Sequence, residues 1–218
     1  MPKLDDYRLS EEQLESIFRT IREELPKSLK KPEFRLLKNE LWKIFKNVKD
    51  PDTFETIIMV ILDARDALSN VRILTNLCSR SQSKVEQSML QVSAFLLEFE
   101  GGYASLLDGV CILLIAGGHD LFDPISRTYA TTLTEIGDVD ISTKFKFLEK
   151  HGFKMLVRTE DKKLRNRIAH HDFRLNDKGI LIDGKLIDMN SKIKDQNNFL
   201  LDLDAAILLV ADRRYRNA

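Results

Sequence analysis

The chain has 218 residues, of which 43% are hydrophobic and 31% are charged. A chain of this size and composition can form one large domain or two small ones around a real hydrophobic core. Its 34 basic and 34 acidic side chains balance to a formal net charge of zero. This balance excludes a positive field over the whole protein that would attract it to nucleic acid. Binding of nucleic acid would therefore need a local basic patch.

The sequence lacks the usual marks of a secreted or membrane protein. Residues 1–6 do not show the basic-then-apolar pattern of a signal peptide. The longest apolar run, 110–116, is far shorter than the roughly 20 residues of a membrane span. Cys78 and Cys111 both lie in apolar helical sequence, which indicates buried, reduced thiols. We therefore expect a soluble cytoplasmic protein with no membrane partner.

Apolar residues recur at helical spacing through the first half of the chain. Ser10 and Gln13 predict a capping box at the start of a first helix. The apolar positions of that helix are Leu14, Ile17, Phe18, Ile21 and Leu25. Pro32 predicts the start of a second helix, which has a basic face. Three more helices are predicted at about 53–78, 85–99 and 103–116. The polar link between the first two of these is short, so they are expected to lie antiparallel.

Two glycine pairs interrupt this pattern. Gly101-Gly102 predicts a break between two helices, and Gly117-Gly118 predicts a helix C-cap. Neither pair is followed by the Lys-Ser/Thr of a phosphate-binding loop, and neither follows a strand. We therefore interpret both as structural.

The second half of the chain changes its pattern twice. Residues 119–140 predict an irregular connection, and short helices are predicted at about 142–151 and 159–170. Alternating apolar residues from 173 to 187 then predict a small hairpin or a three-stranded meander, with Asp183-Gly184 as a two-residue loop. A last helix is predicted at about 191–214, buried between other helices or at a subunit interface.

These elements together predict an all-α fold, an up-and-down helical bundle with a small β-hairpin inserted before the C-terminal helix. Residues 1–80 are expected to form an N-terminal helical extension and residues 81–218 a helical domain, unless the two make one continuous domain.

Chemistry is concentrated in the run Lys162–Phe173, which places arginine, asparagine and histidine within two helical turns. Arginine holds a phosphate with a rigid fork of donors, and histidine exchanges a proton near neutral pH. From Lys144 to Arg167 the chain has nine Lys/Arg against three acids, its most basic segment. The candidate site residues are Arg165 and His170 as catalytic groups, Asn166 as a supporting group, and Lys162, Lys163, Arg158 and Arg167 as RNA contacts.

A helical wheel separates these groups. Val157, Leu164 and Ile168 form the inward stripe, and Asn166 shares a face with His170. Arg165 and His170 diverge by about 140° on a regular helix. Either the long Arg165 side chain spans part of that gap, or a second copy of the helix completes the site across a two-fold axis. His171 projects nearer the apolar stripe and is expected to pack or to cap the helix.

These side chains suit a phosphodiester beside a ribose 2′-hydroxyl. Histidine could accept the 2′-hydroxyl proton or protonate the departing 5′-oxygen, and Arg165 could stabilise the charge on the phosphate. The chain has four histidines and no His/Cys/Asp cluster at metal-ligand spacing. We therefore expect a route without metal and without cofactors.

The run from Arg165 to His170 resembles the R-x(4–6)-H motif of the HEPN superfamily, in which a polar residue, often Asn, follows the arginine. The hairpin and terminal helix that follow also resemble HEPN proteins of prokaryotic defence and toxin systems. This resemblance implies a helical bundle, a homodimer that brings two motifs into one cleft, and metal-independent ribonuclease activity. It also implies RNA as substrate and an antitoxin-like protein as a partner.

Each of these residues also has a structural explanation. Arg165 could pair with Glu160 or Asp161, Asn166 could cap a helix, and His170 could favour the negative end of the helix dipole. The competing function is a non-catalytic helical module that binds RNA, a nucleotide or a protein partner.

Overall fold

The computed structural model describes residues 10, 12, 13, 15, 16, 19, 32–48 and 51–215. In these ranges the protein is mostly helical and carries two small antiparallel sheets. The helices are α1 (Pro32–Phe45), α2 (Pro51–Arg80), α3 (Lys84–Leu97), α4 (Ser105–Ala116), α5 (Leu133–Asp138), α6 (Ile141–Lys150), α7 (Thr159–Ala169) and α8 (Met189–Tyr215). The strands are β1 (Leu121–Asp123), β2 (Thr128–Ala130), β3 (Arg174–Asn176), β4 (Gly179–Ile182) and β5 (Lys185–Ile187).

The predicted capping box near the N-terminus is confirmed. The backbone N–H of Gln13 donates to Ser10 Oγ at 3.2 Å, and the backbone N–H of Ser10 donates to Gln13 Oε1 at 2.7 Å. Two donors at a helix start are thereby satisfied reciprocally. The apolar positions predicted for this helix, Leu14 to Leu25, lie outside the described residues.

The main hydrophobic cluster is shared by helices from both ends of the chain. Leu41 of α1, Ile57 of α2, Leu107 of α4, Leu148 of α6 and Ile207 of α8 are all fully buried in it. The apolar part of α8 therefore packs between other helices, which was one of its two predicted positions. Residues before and after position 80 share this cluster. The division into two domains at position 80 stays a prediction.

The predicted helix break at Gly101-Gly102 is wrong. A π-helical segment, Glu98–Ala104, joins α3 to α4 without interruption. Both glycines are close-packing positions: a Cβ on Gly101 would lie 2.7 Å from Ala67 Cβ, and one on Gly102 would lie 3.0 Å from Leu200. The glycine pair lets the segment approach α2 and α8, so its physical role is contact and not chain termination. The C-cap at Gly117 is confirmed.

The predicted irregular connection at 119–140 is more ordered than expected. It contains the β1–β2 hairpin and α5, and Thr132 and Glu135 form a capping box at the start of α5. Each strand has three residues, too few for an alternating pattern to be recognised in a sequence. The structure therefore contains a second small sheet that the predicted all-α fold with one β-hairpin did not include.

The three-stranded meander is confirmed, with order β3-β4-β5. Asp183 and Gly184 have φ values of +51° and +73°, as a two-residue hairpin loop requires. Ile180 and Ile182 of β4 turn inward and join a second hydrophobic cluster with residues of α3, α7 and α8. This sheet therefore covers the side of α3 on which α7 also packs.

One described helical stretch, Lys84–Ala116, is long and apolar enough to cross a membrane. In its most apolar window 61% is buried inside the molecule, the pattern of a core helix in a soluble protein. Cys78 and Cys111 are free thiols, as predicted. Cys111 is buried as expected, but Cys78 is only half-buried.

Candidate active site on helix α7

Helix α7 begins and ends with identifiable local chemistry. Glu160 and Asp161 occupy its first turn, where negative charge favours the helix dipole. At its end, His171 has a φ of +59°. The backbone N–H of His171 donates to Ile168 O at 3.0 Å, and that of Asp172 donates to Arg167 O at 2.8 Å. This is a Schellman ending, and it leaves His170 at the helix C-cap.

His171 caps the helix, as predicted, but it does not lean toward the apolar stripe. Its side chain is exposed, because the left-handed backbone turns it away from the direction that a continued helix would give. The wheel assumes regular helix through position 171, and α7 ends at Ala169. The two adjacent histidines are therefore both accessible to solvent.

The inward face of α7 is shorter than the wheel predicts. Ile168 is 2% exposed, and Leu164 packs against the second hydrophobic cluster. Val157 precedes α7, adopts an extended backbone and packs against the main cluster instead. Two residues, not three, anchor the helix to the second cluster.

Arg165 is held by two side chains. Its Nε makes an ion pair with Glu100 of the π-helical segment, and its Nη1 donates to Asn166 Oδ1 at 3.0 Å. The structural alternatives predicted for Arg165, Glu160 and Asp161, have other partners. Because the arginine and the carboxylate are 32% and 47% exposed, the pair lies at the surface and can exchange partners.

His170 lies five residues after Arg165, and its imidazole is exposed. Within the described part of the chain the imidazole has no hydrogen-bond partner, and its backbone N–H donates to Asn166 O at 3.0 Å. Asn166 therefore orients the Arg165 guanidinium by its side chain and lies one helical turn before His170. In this group of three polar residues, the Arg165 guanidinium has side-chain partners and the His170 imidazole has none in the described structure.

The basic residues around this group are largely engaged within the molecule. Arg158 pairs with Asp161, Lys163 pairs with Glu160 at 2.6 Å, and Arg167 pairs with Asp183 at the β4–β5 loop. Lys162 donates to Ser142 Oγ on α6. Lys144 is buried and pairs with Asp108 at 2.7 Å. The excess positive charge that the sequence places here is thus mostly compensated locally.

Glu98 is a second acidic group near the site that sequence reasoning missed. Its side chain is fully buried, and neither carboxyl oxygen makes a hydrogen bond within the described structure. The Glu98 pKa is raised to about 8, mainly by burial and in smaller part by Asp161, and the nearby Asn197 amide and Arg158 partly oppose that rise. The Asn197 amide is close without reaching good hydrogen-bond geometry. The group is therefore largely protonated at neutral pH.

Tyr103 connects the π-helical segment to the start of α7. Its hydroxyl donates to Leu156 O at 2.6 Å and accepts from the Arg158 backbone N–H at 3.1 Å. Burial raises the Tyr103 pKa, so this hydroxyl stays protonated and acts as a fixed link. Tyr103 is a core residue.

The π-helical segment thus supplies two carboxyl groups, one on Arg165 and one beside Arg158. The available signal in the sequence is a pair of glutamates, Glu98 and Glu100, inside an otherwise apolar run. A carboxyl group in such a run is rarely buried without a reason.

Comparison with protein-family models, with curated proteins and with solved structures found no significant match for this chain.

Proposed function

We propose that this protein is a metal-independent endoribonuclease of the HEPN type, acting in a defence or toxin setting. The observation that carries the proposal is the grouping on α7: Arg165 is oriented by Asn166, and an exposed His170 follows at the C-cap of the same helix. The R-x(4–6)-H resemblance supports the proposed family, and the exposed imidazole and the surface guanidinium support the proposed acid–base and phosphate-binding roles.

In the proposed reaction the ribose 2′-hydroxyl attacks the adjacent phosphorus. A neutral His170 accepts the 2′-hydroxyl proton as the new O–P bond forms. Arg165 stabilises the charge on the non-bridging oxygens. The P–O5′ bond then breaks and the leaving 5′-oxygen takes a proton from an acid, either an imidazolium or water. The products are a 2′,3′-cyclic phosphate and a 5′-hydroxyl.

Glu100 has a direct consequence for this reaction. A phosphate that approaches Arg165 must share the guanidinium with the Glu100 carboxylate or displace it. An exposed ion pair is worth at most about 1 kcal/mol, so a bidentate phosphate contact suffices to displace it. Glu100 would therefore hold Arg165 extended toward solvent until RNA binds.

The five-residue spacing of Arg165 and His170 also supports a homodimer, in which one copy's arginine meets the other's histidine. Such a two-fold interface is isologous, so both copies would contribute the same surface of α7. An antitoxin-like partner would act by covering that surface.

One observation favours the competing function, a non-catalytic module that binds RNA, a nucleotide or a protein. Arg165 and three further cations of the basic segment, Arg158, Lys163 and Arg167, already have acidic partners in the described structure. A protein in which these pairs never open would bind through other surfaces and would leave RNA intact.

The proposal is tested by the chemistry of the cleaved ends. Labelled single-stranded RNA is incubated with the protein in EDTA, in parallel with the same RNA carrying 2′-O-methyl groups. We expect cleavage of the unmodified RNA alone, with 2′,3′-cyclic phosphate and 5′-hydroxyl ends. Intact RNA, cleavage that EDTA abolishes, or cleavage of the methylated strand would each contradict the proposal.

A further inference from the structure

The β1–β2 hairpin carries the two most exposed large apolar side chains in the described structure, Ile125 at 77% and Tyr129 at 60%. Phe122 on the same hairpin is also exposed, at 45%. Phe122 and Tyr129 lie opposite each other across the two strands, with ring centroids 5.3 Å apart and an angle of 61° between the rings. Folding alone does not require two aromatic rings on the solvent side of so small a sheet.

The inner side of the hairpin is firmly fixed. Leu121 and Ala130 are buried in the main cluster. Asp123 accepts the backbone N–H groups of Ile125 at 3.0 Å and Ser126 at 3.1 Å, which orders the turn. The aromatic pair is therefore displayed by a rigid element, so contact with a ligand would cost little ordering entropy.

The exposed lysines of the basic segment that lack an acidic partner in the described structure lie beside this hairpin and not on α7. Lys146, Lys150 and Lys154 are exposed, and they have no ion-pair partner among the residues that the structure describes. They belong to α6 and the 3₁₀ turn that follows it, and β1 packs against α6. On α7, in contrast, Lys163, Arg165 and Arg167 pair with carboxylates, and Lys162 donates to Ser142 Oγ.

A histidine contact links the two elements. His119 and His151 have ring centroids 4.2 Å apart. His151 directly follows Lys150. Phe122 is three residues after His119, so the Cα atoms of these two residues lie within about 11 Å of each other. Arg127 adds an exposed cation at the hairpin turn. The exposed acids of the hairpin and of α6 with its N-cap are Asp120, Asp140 and Glu149. The exposed cations are Arg127, Lys146, Lys150 and Lys154, so positive charge remains in excess.

We propose that Phe122 and Tyr129, with Arg127, Lys146, Lys150 and Lys154, form a binding surface for single-stranded RNA. Aromatic rings exposed on adjacent strands stack unpaired bases, and flanking cations hold the phosphates. The surface takes RNA with little regard to sequence, because every base has a face that can stack. This proposal extends the proposed function, because the surface would hold the RNA strand that the α7 site cuts. Binding of RNA at this surface does not itself require cleavage.

The test measures binding separately from cleavage. A fluorescein-labelled 2′-O-methyl oligouridine, which lacks the attacking hydroxyl, is titrated with the full chain by fluorescence anisotropy. We expect the double variant Phe122→Ala/Tyr129→Ala to bind at least about tenfold more weakly, since each stacked base contributes measurably. Leu77→Ala, which removes a similarly exposed apolar side chain from α2, should bind as the wild type does.

A second measurement does not depend on the hairpin variant. Replacing Lys146 and Lys150 with alanine should flatten the dependence of log affinity on log salt by about 1.4, which is about 0.7 for each lost phosphate contact on a single strand. An unchanged slope, or no binding by the wild type, would overturn the proposal even if unmodified RNA is cleaved. Self-association in light scattering that the hairpin variant abolishes, with RNA affinity unchanged, would instead make this face a contact between copies.

Discussion

Glu98 is an acidic residue inside the protein core. Its carboxyl group is fully buried at the start of the π-helical segment and makes no hydrogen bond within the described structure. A buried carboxylate is costly, so the folded protein retains the proton to a much higher pH than the unfolded chain does. The Glu98 pKa rises from 4.5 to about 8 for that reason.

This difference makes the stability of the protein depend on pH. The unfolded chain loses the Glu98 proton near pH 4.5 and the folded protein near pH 8. Between these values the folded state binds more protons, so the free energy of unfolding falls as pH rises. We predict that Glu98→Gln, which mimics the protonated form, is stabilising by on the order of a few kcal/mol at pH 9 and close to neutral at pH 4.

Urea unfolding at several pH values checks this prediction. Glu149→Gln, an exposed change on α6, is the matched control and should unfold like the wild type throughout. A Glu98→Gln protein whose stability relative to wild type does not change with pH would show that the carboxyl group has another partner in solution.

Arg165 shows why the site could be predicted only in part. Its residue type, its neighbour Asn166 and the following His170 are local in sequence, so spacing alone brings them together. Its partner Glu100 is 65 positions away, and spacing within one helix gives no information about that pair. The predicted partners Glu160 and Asp161 were reasonable because they are local, but Lys163 and Arg158 occupy them.

At the scale of elements, the long amphipathic helices were predicted well because their apolar positions repeat over many turns. Helices α2, α6 and α8 differ from their predicted bounds by only a few residues. The β1–β2 hairpin and the π-helical segment were not predicted. The strands are too short to show alternation, and a π-helical segment has no distinct apolar period.

The glycine pair in the π-helical segment gives a test at this scale. A Cβ on Gly101 would lie 2.7 Å from Ala67 Cβ, which is closer than two side chains can pack. We predict that Gly101→Ala lowers the free energy of unfolding by about 1–3 kcal/mol, because α2 and the segment must separate. Gly137→Ala in α5 has nothing within 4 Å of the added carbon and should be neutral or slightly stabilising.

Thermal and urea unfolding of the two alanine variants measure this directly. Equal stability of Gly101→Ala and Gly137→Ala would mean that the segment does not approach α2 as closely as described.

In the molecule as a whole, the site depends on how the helices around α7 pack together. The π-helical segment packs against α2 and α8 and presents Glu98 and Glu100 toward α7, while α3 and β4 support α7 through the second cluster. Residues far apart in sequence therefore set the charge around Arg165. Their assembly requires the complete core and could not be deduced from the motif alone.

A composite site makes a prediction about mixed oligomers. If each site takes Arg165 from one copy and His170 from the other, mixing Arg165→Ala with His170→Asn proteins restores one intact site in each mixed dimer. Random exchange should then recover about one quarter of wild-type activity. Activity that stays at the level of the separate variants would place both groups of each site in one copy.

We propose that Arg165 and His170 perform RNA cleavage. The decisive experiment is a comparison of single-turnover cleavage rates on single-stranded RNA in EDTA for wild type, Arg165→Ala, His170→Asn and His171→Asn. We expect a loss of about 10²–10⁴-fold for His170→Asn and a comparable loss for Arg165→Ala. His171→Asn should cut at the wild-type rate, since asparagine tolerates the left-handed backbone there. Wild-type rates for the first two variants, or equal losses for His170→Asn and His171→Asn, would contradict this proposal.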